Sequence, residues 1–195
     1  MTNLATGNVK SALSERGNDL YQTPASATRA LLRAERLPHY LWEPACGRGA
    51  IVNVLRAAGH ECLASDLIDY GDPTHFYRRD FLMECEAPAK CEAIITNPPY
   101  KLATEFVIHA LNLVPLVVML LRLAFLESER RRSILDRGHL ARVHVFRNRL
   151  PMMHRDGWEG RKASSAVPFA WFDWNRNHSG PTELQRITHR DGGVS

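Results

Sequence analysis

Residues 40–49, Tyr40-Leu41-Trp42-Glu43-Pro44-Ala45-Cys46-Gly47-Arg48-Gly49, decide the fold class. Tyr40 to Ala45 reads as a strand, and Ala50 to Ala58 reads as a helix that Gly59 stops. Gly47 and Gly49 let the backbone turn tightly between them and approach a ligand closely. A second strand, Glu61 to Asp66, ends on an acid 19 residues beyond Gly47. In open α/β sheets that is where a carboxylate grips ribose hydroxyls. Val52 stands where a dinucleotide-binding loop has its third glycine, which argues against a nicotinamide cofactor. Glu43, the two glycines and Asp66 together point to an adenosine-containing cofactor. The competing reading is a tight strand-to-helix turn with no ligand.

Outward from this unit, strands and helices alternate. Thr23-Pro24 opens a helix that runs to about Glu35, with threonine suited to the N-cap and proline to the first turn. Further strands are expected at His75–Phe81, Ala93–Thr96, Leu116–Leu121, Arg142–Phe146 and Phe169–Trp174, and further helices at Leu102–Leu113 and Ala124–Asp136. The prediction is an α/β fold: a Rossmann-like, doubly wound, mostly parallel seven-stranded sheet. With no helix between them, the last two strands form an antiparallel hairpin at one edge. Residues 1–20 read as a flexible arm, 21–176 as one domain and 177–195 as a flexible tail. The chain of 195 residues, 45% hydrophobic and 24% charged, suits one such domain.

The second chemical signal is Asn97-Pro98-Pro99-Tyr100, directly after the strand Ala93–Thr96. The two prolines donate no backbone hydrogen bond and hold the loop extended. The Asn97 side-chain oxygen and the Pro98 carbonyl then converge on one amino group, and Tyr100 offers a ring for a base to stack on. An exocyclic amine is a poor nucleophile because its lone pair is delocalised. Two acceptors on its N–H bonds localise that pair and aim it at an electrophilic methyl.

Charge is uneven. The net charge is +4, and only four of the 25 basic residues are lysine. Between Arg122 and Lys162, 11 basic residues face 5 acidic ones. An arginine-rich segment on an otherwise neutral body suits an anionic partner. Within it, Arg147, Arg149, His154, Arg155 and Trp158 lie in a polar loop whose arginines suit phosphates and whose rings suit bases. In Glu127–Arg132, by contrast, the glutamates pair with arginines on a solvated face. Leu111–Leu126, the most apolar stretch, is too short to span a bilayer and carries Asn112, Pro115 and Arg122. No apolar signal core stands at the N-terminus. The four cysteines show no zinc spacing, so no metal and no membrane are expected, and free thiols suit the cytoplasm.

On these motifs the chain resembles the class I S-adenosylmethionine-dependent methyltransferases, most of all the small phage and prophage adenine-N6 DNA methyltransferases. The resemblance runs from about Asp19 to Asn175 and has the cofactor motif before the catalytic one. It implies S-adenosyl-L-methionine as cofactor and nucleic acid, DNA first, as partner. Asp19, Tyr21, Thr23 and Pro24 match the N-terminal cofactor motif. Glu43, Ala45, Cys46, Gly47 and Gly49 match the loop at the methionine end, and Cys46 reads as a small lining residue. Asp66 matches the ribose-binding acid, with Leu67 beside the adenine, and Asp80-Phe81 the pair that bonds and packs against that adenine. Asn97, Pro98, Pro99 and Tyr100 match the catalytic motif, with Asn97 also near the cofactor. After Tyr100 the residues are expected to do no more than complete the sheet, so a recognition domain like that of larger DNA enzymes is not expected. The same tetrapeptide serves enzymes that methylate RNA bases or protein glutamine amides. A non-catalytic nucleic-acid-binding module is the remaining alternative.

Overall fold

A computed structural model describes residues 22–71, 76–137, 139–152 and 167–190. Eight strands form one sheet: β1 (Tyr40–Glu43), β2 (Glu61–Asp66), β3 (Phe76–Arg78), β4 (Ala93–Thr96), β5 (Leu116–Arg122), β6 (Leu140–Phe146), β7 (Phe169–Asn175) and β8 (Glu183–Ile187). Their order is β3-β2-β1-β4-β5-β7-β6-β8. β7 alone runs antiparallel to its neighbours β5 and β6. The α/β class and the mostly parallel sheet are as the alternating pattern implied.

Helices cover both faces. On one face, α1 (Ala25–Ala34) and α2 (Ala50–Ala57) bury Leu31, Ile51 and Leu55 against Leu41, Ile95 and Trp171. On the other, α3 (Ala103–Leu113) buries Phe106 and Val107 against Trp42, Ile94 and Phe172. Residues of one strand therefore alternate between two apolar layers. This is why the central strands read as continuous hydrophobic runs.

Three expectations need correction. The sheet has eight strands, because β8 forms within the segment read as a tail. It pairs in parallel with β6, from Arg142 opposite Glu183 to Phe146 opposite Ile187. Its sequence gives little sign of this: Leu184 is 65% exposed, and backbone hydrogen bonds rather than burial define the strand. The β6–β7 pair is consequently not an edge hairpin. β7 lies between β5 and β6, with Trp171, Phe172 and Trp174 fully buried. The helix expected over Ala124–Asp136 is two 3-10 turns, Leu123–Leu126 and Glu129–Arg131, followed by one α-turn, Arg132–Leu135. Residues 127–133 are Glu, Ser, Glu, three Arg and Ser, so no apolar stripe draws a helix onto the sheet. Instead Phe125 enters the core, and Arg131 fastens the turns by donating to the Phe125 carbonyl (2.9 Å) and to the Thr104 hydroxyl (3.2 Å).

Three elements meet in a polar cluster away from the glycine turn. Glu35, just past α1, approaches His144 Nε2 at 2.9 Å, and Arg142 stands 3.1 Å from Glu35 and 3.2 Å from Asp173. Burial raises the Asp173 pKa, the nearby Glu35 adds to the rise, and Arg142 opposes it. Glu35, His144 and Asp173 bring ligand-type atoms within 4.8 Å of one another. The Arg142 guanidinium already supplies the cation these carboxylates need. Among the described residues, no helix is long and apolar enough to cross a membrane.

Candidate active site

The strand order reverses between β1 and β4, and ligands of open α/β sheets bind at that crevice. A cleft of about 1040 Å³, measured out to its open mouth, lies there. One wall is Glu43 to Arg48 with Asp66 to Ile68; the facing wall is Asn97 to Tyr100, with Thr23 and Phe81 beside them. The two motifs are 54 residues apart from Glu43 to Asn97 in sequence and share one cavity.

The glycine turn is built from its own backbone. Gly47 (φ 52°) and Gly49 (φ 75°) adopt the left-handed conformation that side chains disfavour. The Gly49 N–H donates to the Cys46 carbonyl at 2.7 Å, and the Cys46 N–H to the Ser65 carbonyl at 3.0 Å. These bonds pin the turn to the end of β2. Asp66 completes the link: one carboxylate oxygen accepts from the Gly47 N–H (2.8 Å) and the other from the Ile68 N–H (3.0 Å). A carboxylate has about four acceptor sites, so two such bonds leave it able to accept from hydroxyl groups in the cleft. Burial raises the Asp66 pKa, and the N–H groups of Ile68, Gly47 and Leu67 oppose that rise.

Glu43 is only 2% exposed and accepts from the Val52 N–H at 3.0 Å, tying the end of β1 to the first turn of α2. Burial holds its carboxyl well above the usual range; the Val52 N–H opposes this and Asp66 adds to it. The folded chain therefore binds this proton more tightly than the unfolded chain. Between the ordinary and the raised pKa the folded state carries more protons, so stability falls as pH rises. Glu43→Gln keeps an acceptor for Val52 without the charge. Without cofactor, its Tm relative to wild type is expected to improve as pH rises above the ordinary carboxylate range. A constant offset above that range would show that Glu43 does not titrate there. Burial also pushes the Cys46 thiol up, with Glu43 and Asp66 adding to the shift, so it stays protonated and a weak nucleophile.

The facing wall depends on a residue expected to do something else. Thr23 is not the helix cap: α1 begins at Ala25, with Pro24 in the cap position. The Thr23 hydroxyl, 5% exposed, instead accepts from Asn97 Nδ2 at 3.1 Å. This contact holds the Asn97 amide in place, with Nδ2 on the Thr23 side. Pro98 and Pro99 lead into a 3-10 turn, Tyr100–Leu102, and then α3. The Tyr100 ring lies 5.8 Å from that of Phe169. Arg122, which the motif reading did not single out, places its guanidinium carbon 4.5 Å from the Tyr100 ring centroid.

Asp80 and Phe81 also reach the cleft. Asp80 accepts from the Leu82 N–H at 3.1 Å, capping a 3-10 turn, while Phe81 packs edge-on to Trp42 at 5.3 Å. Leu67 is 56% exposed on the rim. Gln22, Arg48 and Tyr70 join the lining without a motif to mark them. Arg147 and Arg149 are exposed just beyond β6, at the same carboxyl edge of the sheet as the cleft, but outside its lining. Asp19, Tyr21, His154, Arg155 and Trp158 lie outside the described residues.

No family model and no curated protein sequence matches the chain. Solved structures do. A type I restriction-modification methyltransferase subunit from Streptococcus thermophilus aligns at TM-score 0.61 and 14% identity, covering 85% of this chain and 47% of that one. This chain thus spans about half of that subunit. A dimethyladenosine transferase from Plasmodium falciparum aligns at 0.53 and 13%, covering 80% and 62%. A magnesium protoporphyrin IX methyltransferase from Synechocystis, with S-adenosylmethionine bound, aligns at 0.51 and 17%, covering 78% and 77%. Their substrates differ, and what they share with this chain is architecture: it has the fold of the class I S-adenosylmethionine-dependent methyltransferases.

Proposed function

We propose that this chain is an S-adenosylmethionine-dependent methyltransferase that acts on an exocyclic amino group, adenine N6 in DNA. One observation carries the reading: the glycine turn with Asp66 and the Asn97-Pro98-Pro99-Tyr100 loop form opposite walls of one cleft at the switch point. The donor set fits the cofactor. Asp66 suits ribose hydroxyls, Leu67 and Phe81 suit an adenine ring, and the left-handed glycines open the turn to a methionine tail. When bound, the cofactor supplies a methyl group on a sulfonium.

The chain's own residues do the rest. Thr23 holds the Asn97 amide so that its oxygen is the group that accepts. That oxygen and the Pro98 carbonyl take the two N–H bonds of the target amine and turn its lone pair toward the cofactor wall. Tyr100 stacks on the base. The prolines keep the loop from relaxing, so positioning and electrostatics carry catalysis. The target base leaves its duplex or is taken single-stranded. Arg147, Arg149 and, beyond the described residues, His154, Arg155 and Trp158 are offered as contacts to the polynucleotide.

Incubation with labelled S-adenosylmethionine and DNA, followed by nucleoside analysis, should give N6-methyladenine. Label confined to RNA or to protein glutamine would overturn the substrate and keep the chemistry. Calorimetry without any cofactor binding would favour a non-catalytic binding module. In the same calorimeter, Asp66→Asn is expected to weaken cofactor binding by roughly 10- to 100-fold, as for loss of a hydrogen bond to a charged group. An unchanged Kd would remove Asp66 from the cofactor site.

A further inference from the structure

Arg122 ends β5, a strand whose preceding residues Val117–Leu121 are all buried, and it is itself exposed. In register it stands opposite Phe169 of β7, whose ring packs on Tyr100. The Arg122 guanidinium carbon is 4.5 Å from the Tyr100 ring centroid, which is stacking contact. Among the described residues no carboxylate forms an ion pair with Arg122. A guanidinium at this distance leaves no room for a ring between it and Tyr100. A base that stacks on this face of Tyr100 must therefore take the guanidinium's place.

We propose that Arg122 is a substrate-binding residue that covers the stacking face of Tyr100 until the target base arrives, then transfers to that nucleotide's phosphate. This rests on the methyl-transfer reading above. Two properties of arginine suit the double role. Its planar cation stacks on an aromatic face, and its fork matches phosphate oxygens. An exposed cation–π contact is weak, so a base displaces it easily. The side chain is long, and a nucleotide whose base lies on Tyr100 brings its own phosphate near the vacating guanidinium. Arg122 thus keeps an apolar ring face covered in the free protein and adds charge recognition in the complex.

The test compares wild type, Arg122→Ala and Arg122→Lys with an adenine-containing single-stranded oligonucleotide at several salt concentrations. Cofactor affinity is measured alongside by calorimetry. Arg122→Ala is expected to raise KM for the oligonucleotide about tenfold, consistent with loss of one charge-assisted phosphate contact. Its kcat should stay within about twofold and cofactor affinity should not change, because no chemistry passes through this residue. The slope of log KM against log salt should become shallower by about 0.7, one phosphate on a single strand. Arg122→Lys should restore the salt slope but only part of KM, since an ammonium keeps the charge and loses the fork. A fall in kcat with KM and slope unchanged would reduce Arg122 to orienting Tyr100 and overturn the proposal. Arg122→Ala behaving as wild type would overturn it too. If the wild-type chain binds cofactor yet methylates no polynucleotide, the underlying reading itself fails.

Discussion

Asn97→Ala is expected to lower kcat for methyl transfer by roughly 10²- to 10³-fold, the range for removing one preorganised polar group from a reacting centre. The cofactor Kd should stay within a few-fold. The reason is geometric. The Asn97 side chain stands on the wall opposite Asp66 and the glycine turn, and its amide is held by Thr23 rather than by the cofactor loop. The variant should fold: the hydrogen bond to the Thr23 hydroxyl that it gives up is worth about 1 kcal/mol. Single-turnover rates with DNA, beside cofactor titration, separate the outcomes. Loss of both rate and cofactor binding would show that Asn97 serves the cofactor site and not the amine.

The largest stability effect is expected at Trp171. Its side chain is fully buried against α1, and its indole N–H donates to the Ala27 carbonyl at 3.0 Å. Trp171→Ala removes that bond and leaves a cavity between the sheet and α1, which begins two residues after Thr23. The expected cost is about 3–5 kcal/mol, a large part of the roughly 5–15 kcal/mol that holds a domain together. A fall in the urea midpoint at unchanged m-value would report it. Because α1 follows directly on Thr23, cofactor or substrate binding should suffer even where the variant remains folded. A loss below about 1 kcal/mol would mean that α1 is held mainly by other contacts.

The glycine turn, Asp66 and the Asn97–Tyr100 loop were readable because each joins a local backbone requirement to a local chemical one. Left-handed residues call for glycine, and an extended loop that donates no N–H calls for consecutive prolines. Continuous apolar runs likewise announced β4 and β5 as buried strands, and alternation announced β7 as a strand. β8 escaped notice because an exposed strand has no burial pattern, only a neighbour. The failed helix at Ala124–Asp136 shows the converse. Charged residues of good helical propensity stay in short turns when no apolar stripe binds them to the sheet.

The chemistry proposed for this protein rests on local motifs, and so it could be proposed from chain order alone: an acid after a glycine turn, and an amide before two prolines. What brought those pieces together is long-range. The reversal of strand order puts β1 beside β4, and only then do Glu43 and Asn97 share a cleft. Thr23 was a plausible helix cap until α1 packed against the sheet and turned its hydroxyl to Asn97. Arg122 was one arginine among many in a basic segment until β5 ended beside Tyr100. A side chain's partners across the sheet depend on strand order and register, which arise from burial summed over the whole molecule.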